Sequence, residues 1–88
     1  MTLIEFFADE KKWLKGYIGI EGEPRCLAGA AFECYGMHGG AFLELSNAIK
    51  TLYPERVPEG DMGVIAPFND HPDTTIDDIR RVCKFADR

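Results

Sequence analysis

Five apolar residues, Phe42, Leu45, Ala48, Ile49 and Leu52, recur at intervals of three and four along the chain. An α-helix gathers such a set on one face, so the spacing predicts an amphipathic helix from Ala41 to about Tyr53, stopped by Pro54. That stripe needs other elements to cover it. The chain has 88 residues, which is one domain and not two. A chain this short buries only roughly 60–65% of its unfolded surface. Its small size favours self-association, which would bury surface that a monomer cannot.

Three further helices are expected. The first runs from Leu3 to about Lys15. Thr2 and Glu5 are spaced as a capping box, and Leu3, Ile4, Phe7, Trp13 and Leu14 form a stripe that Gly16 ends. The second starts near Pro24, whose missing N–H suits a first helical position, and stops at Gly36. Its stripe of Cys26, Leu27, Ala30, Ala31 and Cys34 is small, with Gly29 inside it. A close-packed neighbouring helix would explain a glycine that otherwise costs ~1 kcal/mol. Gly39-Gly40 then links this helix to Ala41–Tyr53, making a central helical hairpin. Pro54 to Gly63 reads as an exposed loop and Asn69 to Asp73 as a turn. Thr74 caps the last helix, with Asp77 as a short-armed box partner, and Ile76, Ile79, Val82, Cys83 and Ala86 form its apolar face. Two short apolar stretches, Tyr17–Ile20 and Val64–Phe68, leave room for one two-stranded pairing. The expected fold is therefore mainly α, a compact four-helix domain spanning residues 1–88.

Charge and cysteine content narrow the function classes. Fifteen acids against ten bases give a net charge of −5, which works against the phosphate neutralisation that nucleic-acid binding needs. Arg80, Arg81, Lys84 and Arg88 cluster where they complement the C-terminal end of the last helix dipole. Three cysteines, Cys26, Cys34 and Cys83, make an odd number with no Cys-x-x-Cys pair, so neither a disulfide framework nor a zinc site is expected. Charged residues from Glu5 to Lys12 are unlike a signal peptide, and no apolar run reaches the ~20 residues of a membrane span. The expectation is a cytoplasmic protein without metal, cofactor, nucleic-acid or membrane partner.

Cys26-Leu27-x-Gly29-Ala30 opens the second helix, and Phe68-Asn69-Asp70 precedes Thr74 and a last helix ending at Ala86. Trp13 and Gly16 come before both. On these motifs, across nearly the whole chain, the sequence resembles a family of small actinobacterial and actinobacteriophage proteins of undetermined function. That family has a Cys-Leu-x-Gly-Ala helix and a Trp-Asn-Asp turn before a Thr-capped last helix. The chain departs from it at Phe68, where tryptophan is usual, and at Asp77, where a longer acid is usual. The resemblance implies a fold and a phage or prophage source; it implies no activity.

Candidate chemistry sits in few places. Asn69, Asp70 and His71 can be read as a polar partner-binding or proton-relay cluster, or as an Asx turn before the last helix, and turn chemistry accounts for each residue type. Cys26 at a helix start has its thiolate favoured by the dipole. With His71 or His38 as base and Asn69 or Asp70 as orienter it would make a cysteine hydrolase or transferase. A small buried cysteine on a packed face is the structural alternative, and Cys34 shares that face. His38, in a glycine-rich loop without a lysine, matches neither a metal motif nor a phosphate loop. Trp13, with Phe6 or Tyr17, could present an aromatic patch, although core packing is the default. The reading taken is a small non-catalytic interaction protein, phage or prophage encoded, that binds a host protein or forms a homo-oligomer. Its interaction candidates are Trp13, Phe68, Asn69, Asp70 and His71; the alternative is a Cys26-dependent hydrolase or transferase.

Overall fold

A computed structural model describes residues 1–36, 40–58 and 63–88. His38, Gly39 and most of the Glu59–Gly63 stretch discussed above lie outside the described residues. The fold is mainly helical, with five α-helices among the described residues where the periodicity predicts four.

The N-terminal capping box forms as predicted. Glu5 N–H donates to Thr2 Oγ1 at 3.1 Å, and Thr2 N–H donates to Glu5 Oε1 at 3.0 Å. Helix α1 (Leu3–Phe6) nevertheless ends long before Lys15. Arg80 takes the carbonyls that a longer helix would use, with Nε donating to Phe7 O at 2.9 Å and Nη2 to Ala8 O at 3.1 Å. Asp9 then accepts from Lys11 N–H at 3.0 Å and starts a separate 3-10 turn, Glu10–Lys12. An aspartate side chain competes for nearby backbone donors in this way.

Beyond Lys12 the chain is extended and meets residue 25 in one parallel bridge, Trp13 with Arg25. Arg25 N–H donates to Lys12 O at 2.8 Å, and Leu14 N–H to Arg25 O at 3.3 Å. Residues 16–24 form a loop closed by this bridge. The expected pairing of Tyr17–Ile20 with Val64–Phe68 is absent, because the second stretch leads into helix α4 (Ile65–Asp70). Pro67 sits in the first turn of α4, where a missing N–H forfeits no intrahelical bond.

Helix α2 (Leu27–Tyr35) begins three residues after Pro24, with Cys26 as its N-cap, and ends at Gly36 in a positive-φ conformation. Helix α3 (Ala41–Leu52) follows Gly40, which has φ +81, and buries Leu45, Ala48 and Ile49 as the periodicity requires. A 3-10 turn at Pro54–Arg56 leaves it. Helices α2 and α3 pack on each other, so the hairpin is present; α2 also packs on α1 and α4, and α3 on α4 and α5. Phe7, Phe68, Leu3 and Leu27 head the fully buried apolar side chains of the shared core.

Helix α5 (Ile76–Phe85) is capped by Thr75 and Asp78, one residue later than the sequence reading places it. Both Thr-x-x-Asp pairs exist in the sequence, and tertiary contacts choose between them. Arg56 Nη1 donates to Asp78 Oδ2 at 2.8 Å and Tyr53 Oη to Asp78 Oδ1 at 3.0 Å, while Thr74 is buried and accepts from Arg56 Nη1 at 3.3 Å. Thr75→Ala is therefore expected to cost about 1 kcal/mol, a fall in Tm of roughly 4–8 °C for a domain of this size. Asp77→Ala, which stays in the first turn but removes no capping hydrogen bond, should lower Tm by less.

The same contacts set an acid response. Burial alone would raise the Asp78 pKa, but the hydrogen bonds from Arg56, Thr75 and Tyr53 and the Arg56 charge outweigh it and hold it below its ordinary 3.8. A carboxylate depressed in the folded state adds stability that is complete above the unfolded value and is lost as pH falls through the folded one. Urea midpoints should therefore drop as pH falls below about 4. Asp78→Asn should flatten part of that drop while lowering stability at pH 7.

Candidate interaction site

The loop of residues 16–24 is tied down on its inner side and apolar on its outer side. Arg25 is the main tether. It is buried, its Nε donates to Ile18 O at 3.1 Å, and its Nη1 pairs with Glu33 on α2 at 3.1 Å. Glu33 also accepts from Gly22 N–H at 3.2 Å, and Lys12 Nζ donates to Gly22 O at 3.2 Å. At the loop's start, Gly16 N–H donates to Asp70 Oδ1 at 2.8 Å and Lys15 Nζ to His71 O at 2.7 Å.

Close approach makes this clamp possible. A Cβ on Gly29 would lie 2.2 Å from Ile18 O, and one on Gly19, with φ +80, would lie 2.4 Å from Pro24 O. Gly29 thus makes room for the loop backbone, not for a neighbouring helix. The small stripe of α2 was visible in the sequence; its occupant was not.

With its backbone held, the loop presents Tyr17, Ile18 and Ile20 to solvent at 75%, 60% and 69% exposure. Glu21 and Glu23 beside them are exposed. Between this loop, the start of α2 and α4 lies a mainly apolar groove of about 190 Å³, whose lining includes Ile18, Cys26, Ala66 and Asp70. Three apolar residues within four positions of a tethered loop are not the scattered exposure that every surface shows.

Asn69 holds the underside of this region and is fully buried. Its Oδ1 accepts from Trp13 Nε1 at 2.6 Å and from Leu27 N–H at 3.0 Å; its Nδ2 donates to Leu14 O at 3.1 Å and Asp70 Oδ1 at 3.0 Å. One amide thus joins three chain segments. It lies inside α4 and makes no Asx turn before the last helix, because distant donors outcompete the local ones. The Phe68–Asp73 stretch does meet the start of α2, through this residue.

The other sequence candidates are dispersed. Phe68 is fully buried and stacks near Tyr53 with ring centroids 5.2 Å apart, so it offers no surface. Trp13 is half-buried, with Lys15 Nζ 5.5 Å from its ring centroid. Phe6 is buried, which leaves Tyr17 as the exposed aromatic of the three considered. Asp70 is exposed at the groove. His71 Nδ1 accepts from Asp73 N–H at 3.1 Å, and the ring lines a different depression with Arg56 and Pro67. Cys26 is buried and its Sγ accepts from Gly29 N–H at 3.4 Å, the role of a cap.

All three cysteines are unbridged. Burial pushes the Cys83 thiol up to about 12 and also raises that of Cys34. Among the described residues no cluster of three His, Cys, Asp or Glu side chains could hold a metal ion, and no helix is long and apolar enough to cross a membrane. Sequence reading missed Arg25 and Glu33 altogether; their eight-residue separation across a helix start carries no recognised pattern. No family model, curated protein or solved structure matches the chain.

Proposed function

We propose that the chain is a small non-catalytic interaction protein, of phage or prophage origin as its resemblance implies, which docks on another protein chain through the 16–24 loop. One observation carries the reading: Tyr17, Ile18 and Ile20 stand exposed on a loop whose backbone is fixed by Arg25, Glu33, Lys12 and Asp70. A free loop would lose conformational entropy on binding, and a pre-tethered one has already lost much of it. Exposed isoleucines beside a shallow groove favour protein surface as the target. The capping role of the Cys26 sulfur gives the alternative hydrolase reading no support.

Capture with the loop intact and altered tests the proposal. The full chain and an Ile18→Ser/Ile20→Ser variant are immobilised and exposed to actinobacterial lysate. Bound proteins are then quantified by mass spectrometry. The variant should melt within a few degrees of the wild type, since both side chains are mostly exposed, and lose most of the specifically retained protein. Equal retention by the two would sink the reading.

A further inference from the structure

A second feature of the surface complements the loop. On the other flank of α1, Ile4, Ala8, Arg80 and Lys84 line a groove, also of about 190 Å³ and mainly apolar. A cavity of comparable size takes up a benzene-sized group, so one aliphatic side chain fits the scale. Its rim is cationic. Lys84 is exposed and makes no ion pair among the described residues, and Arg80 is fixed over the Phe7 and Ala8 carbonyls with only a long, exposed contact of 3.5 Å to Asp77. The loop carries the opposite pattern: exposed Ile20 followed by exposed Glu21 and Glu23, which make no ion pair among the described residues. One patch is a projecting apolar residue beside acids. The other is an apolar recess beside a base.

Resting on the interaction reading above, we infer that the loop's occupant is the Ile4–Ala8–Arg80–Lys84 groove of a second copy of this chain, in a head-to-tail contact with Ile20 in the recess and Glu21 facing Lys84. Charge decides the arrangement. A symmetric loop-to-loop contact would bring Glu21 and Glu23 of both copies together, four carboxylates at one apolar interface, which is repulsive. The heterologous arrangement pairs unlike charges and uses two different patches of each copy. Each patch is small, so the contact belongs to the weak, sub-1,200 Å² class and shows only at high protein concentration.

Sedimentation equilibrium of the full chain tests this with two variants. Ile20→Ser/Glu21→Lys disables the loop and leaves the groove; Ile4→Ser/Lys84→Gln disables the groove and leaves the loop. Far-ultraviolet circular dichroism and melting confirm that both are folded. The wild type should gain apparent mass with concentration, less so at high salt. Each variant alone should remain monomeric. Mixed one to one, the two should recover a species of twice the monomer mass and nothing larger, since one intact loop and one intact groove remain. A wild type still monomeric at about 1 mM, corresponding to less than ~4 kcal/mol of binding, overturns self-docking. So does association that either variant retains, or a mixture that does not pair. The loop-dependent capture described above then stands or falls separately, because it registers a foreign partner.

Discussion

Asn69→Ala is expected to lower the unfolding free energy by about 3–4 kcal/mol, read as a fall in the urea midpoint at nearly constant slope. The figure follows from what alanine leaves behind. Trp13 Nε1 and Leu27 N–H lose their acceptor and Leu14 O loses a donor. A buried polar group without a partner costs roughly 1–3 kcal/mol. Leu27 is fully buried, so its N–H bears the full penalty, whereas half-buried Trp13 recovers part of its own from water. At roughly 0.05–0.15 kcal/mol per residue, a chain this short has little stability to spare. The corresponding fall in Tm is roughly 12–30 °C. Asn69→Asp separates the donor and acceptor roles. It keeps the acceptor for Trp13 and Leu27 but sets a second carboxylate where the amide now donates to Asp70 Oδ1 at 3.0 Å. Its deficit should therefore shrink at low pH, while that of the alanine variant should not. A variant melting within a few degrees of wild type would show that Asn69 does not hold these segments together.

Asn69 also marks where sequence reading stops. Its neighbours Asp70, His71 and Pro72 are turn residues, so local chemistry explained it well enough that no distant role was sought. The cue that existed was Trp13: an indole packed against a core needs an acceptor for its N–H. Periodicity found α3 nearly to the residue because its apolar face repeats over three turns. It overran α1 because Phe6 and Phe7 are both buried, and because Arg80, seventy-three residues away, claims the Phe7 carbonyl. It misread Val64–Phe68 because a six-residue helix with proline in its first turn shows less than two turns of pattern. Thr74 and Thr75 are equivalent by local rules, and only Arg56 and Tyr53 distinguish Asp78 from Asp77. The interaction loop was legible as an apolar stretch. Its exposure depends on Arg25 and Glu33 reaching across a helix start, which no single stretch of sequence displays.

Gly29→Ala is expected to reverse the usual sign of a helix substitution. At an exposed interior position alanine would gain about 1 kcal/mol over glycine. Here the new Cβ would lie 2.2 Å from Ile18 O and 2.9 Å from Arg25 Nε. The first is backbone, so it cannot swing aside as a side-chain end does. Overpacking of this kind costs typically 1–3 kcal/mol, and relief by lifting the loop breaks the Arg25 bond to Ile18 O. Gly22→Ala is the control. A Cβ there meets nothing within 4 Å, but φ is +81. Its cost is therefore backbone strain of roughly 1–2 kcal/mol with no displacement of the α2 contact. A glycine within the loop and one beneath it on α2 thus fail for different reasons. If the tethered loop is the docking element, Gly29→Ala should weaken capture more than its melting curve explains, because the loop loses its seat on α2. Gly22→Ala should lose stability and keep capture. Equal losses of capture at equal stability would detach the docking role from the clamp between Ile18 and Gly29.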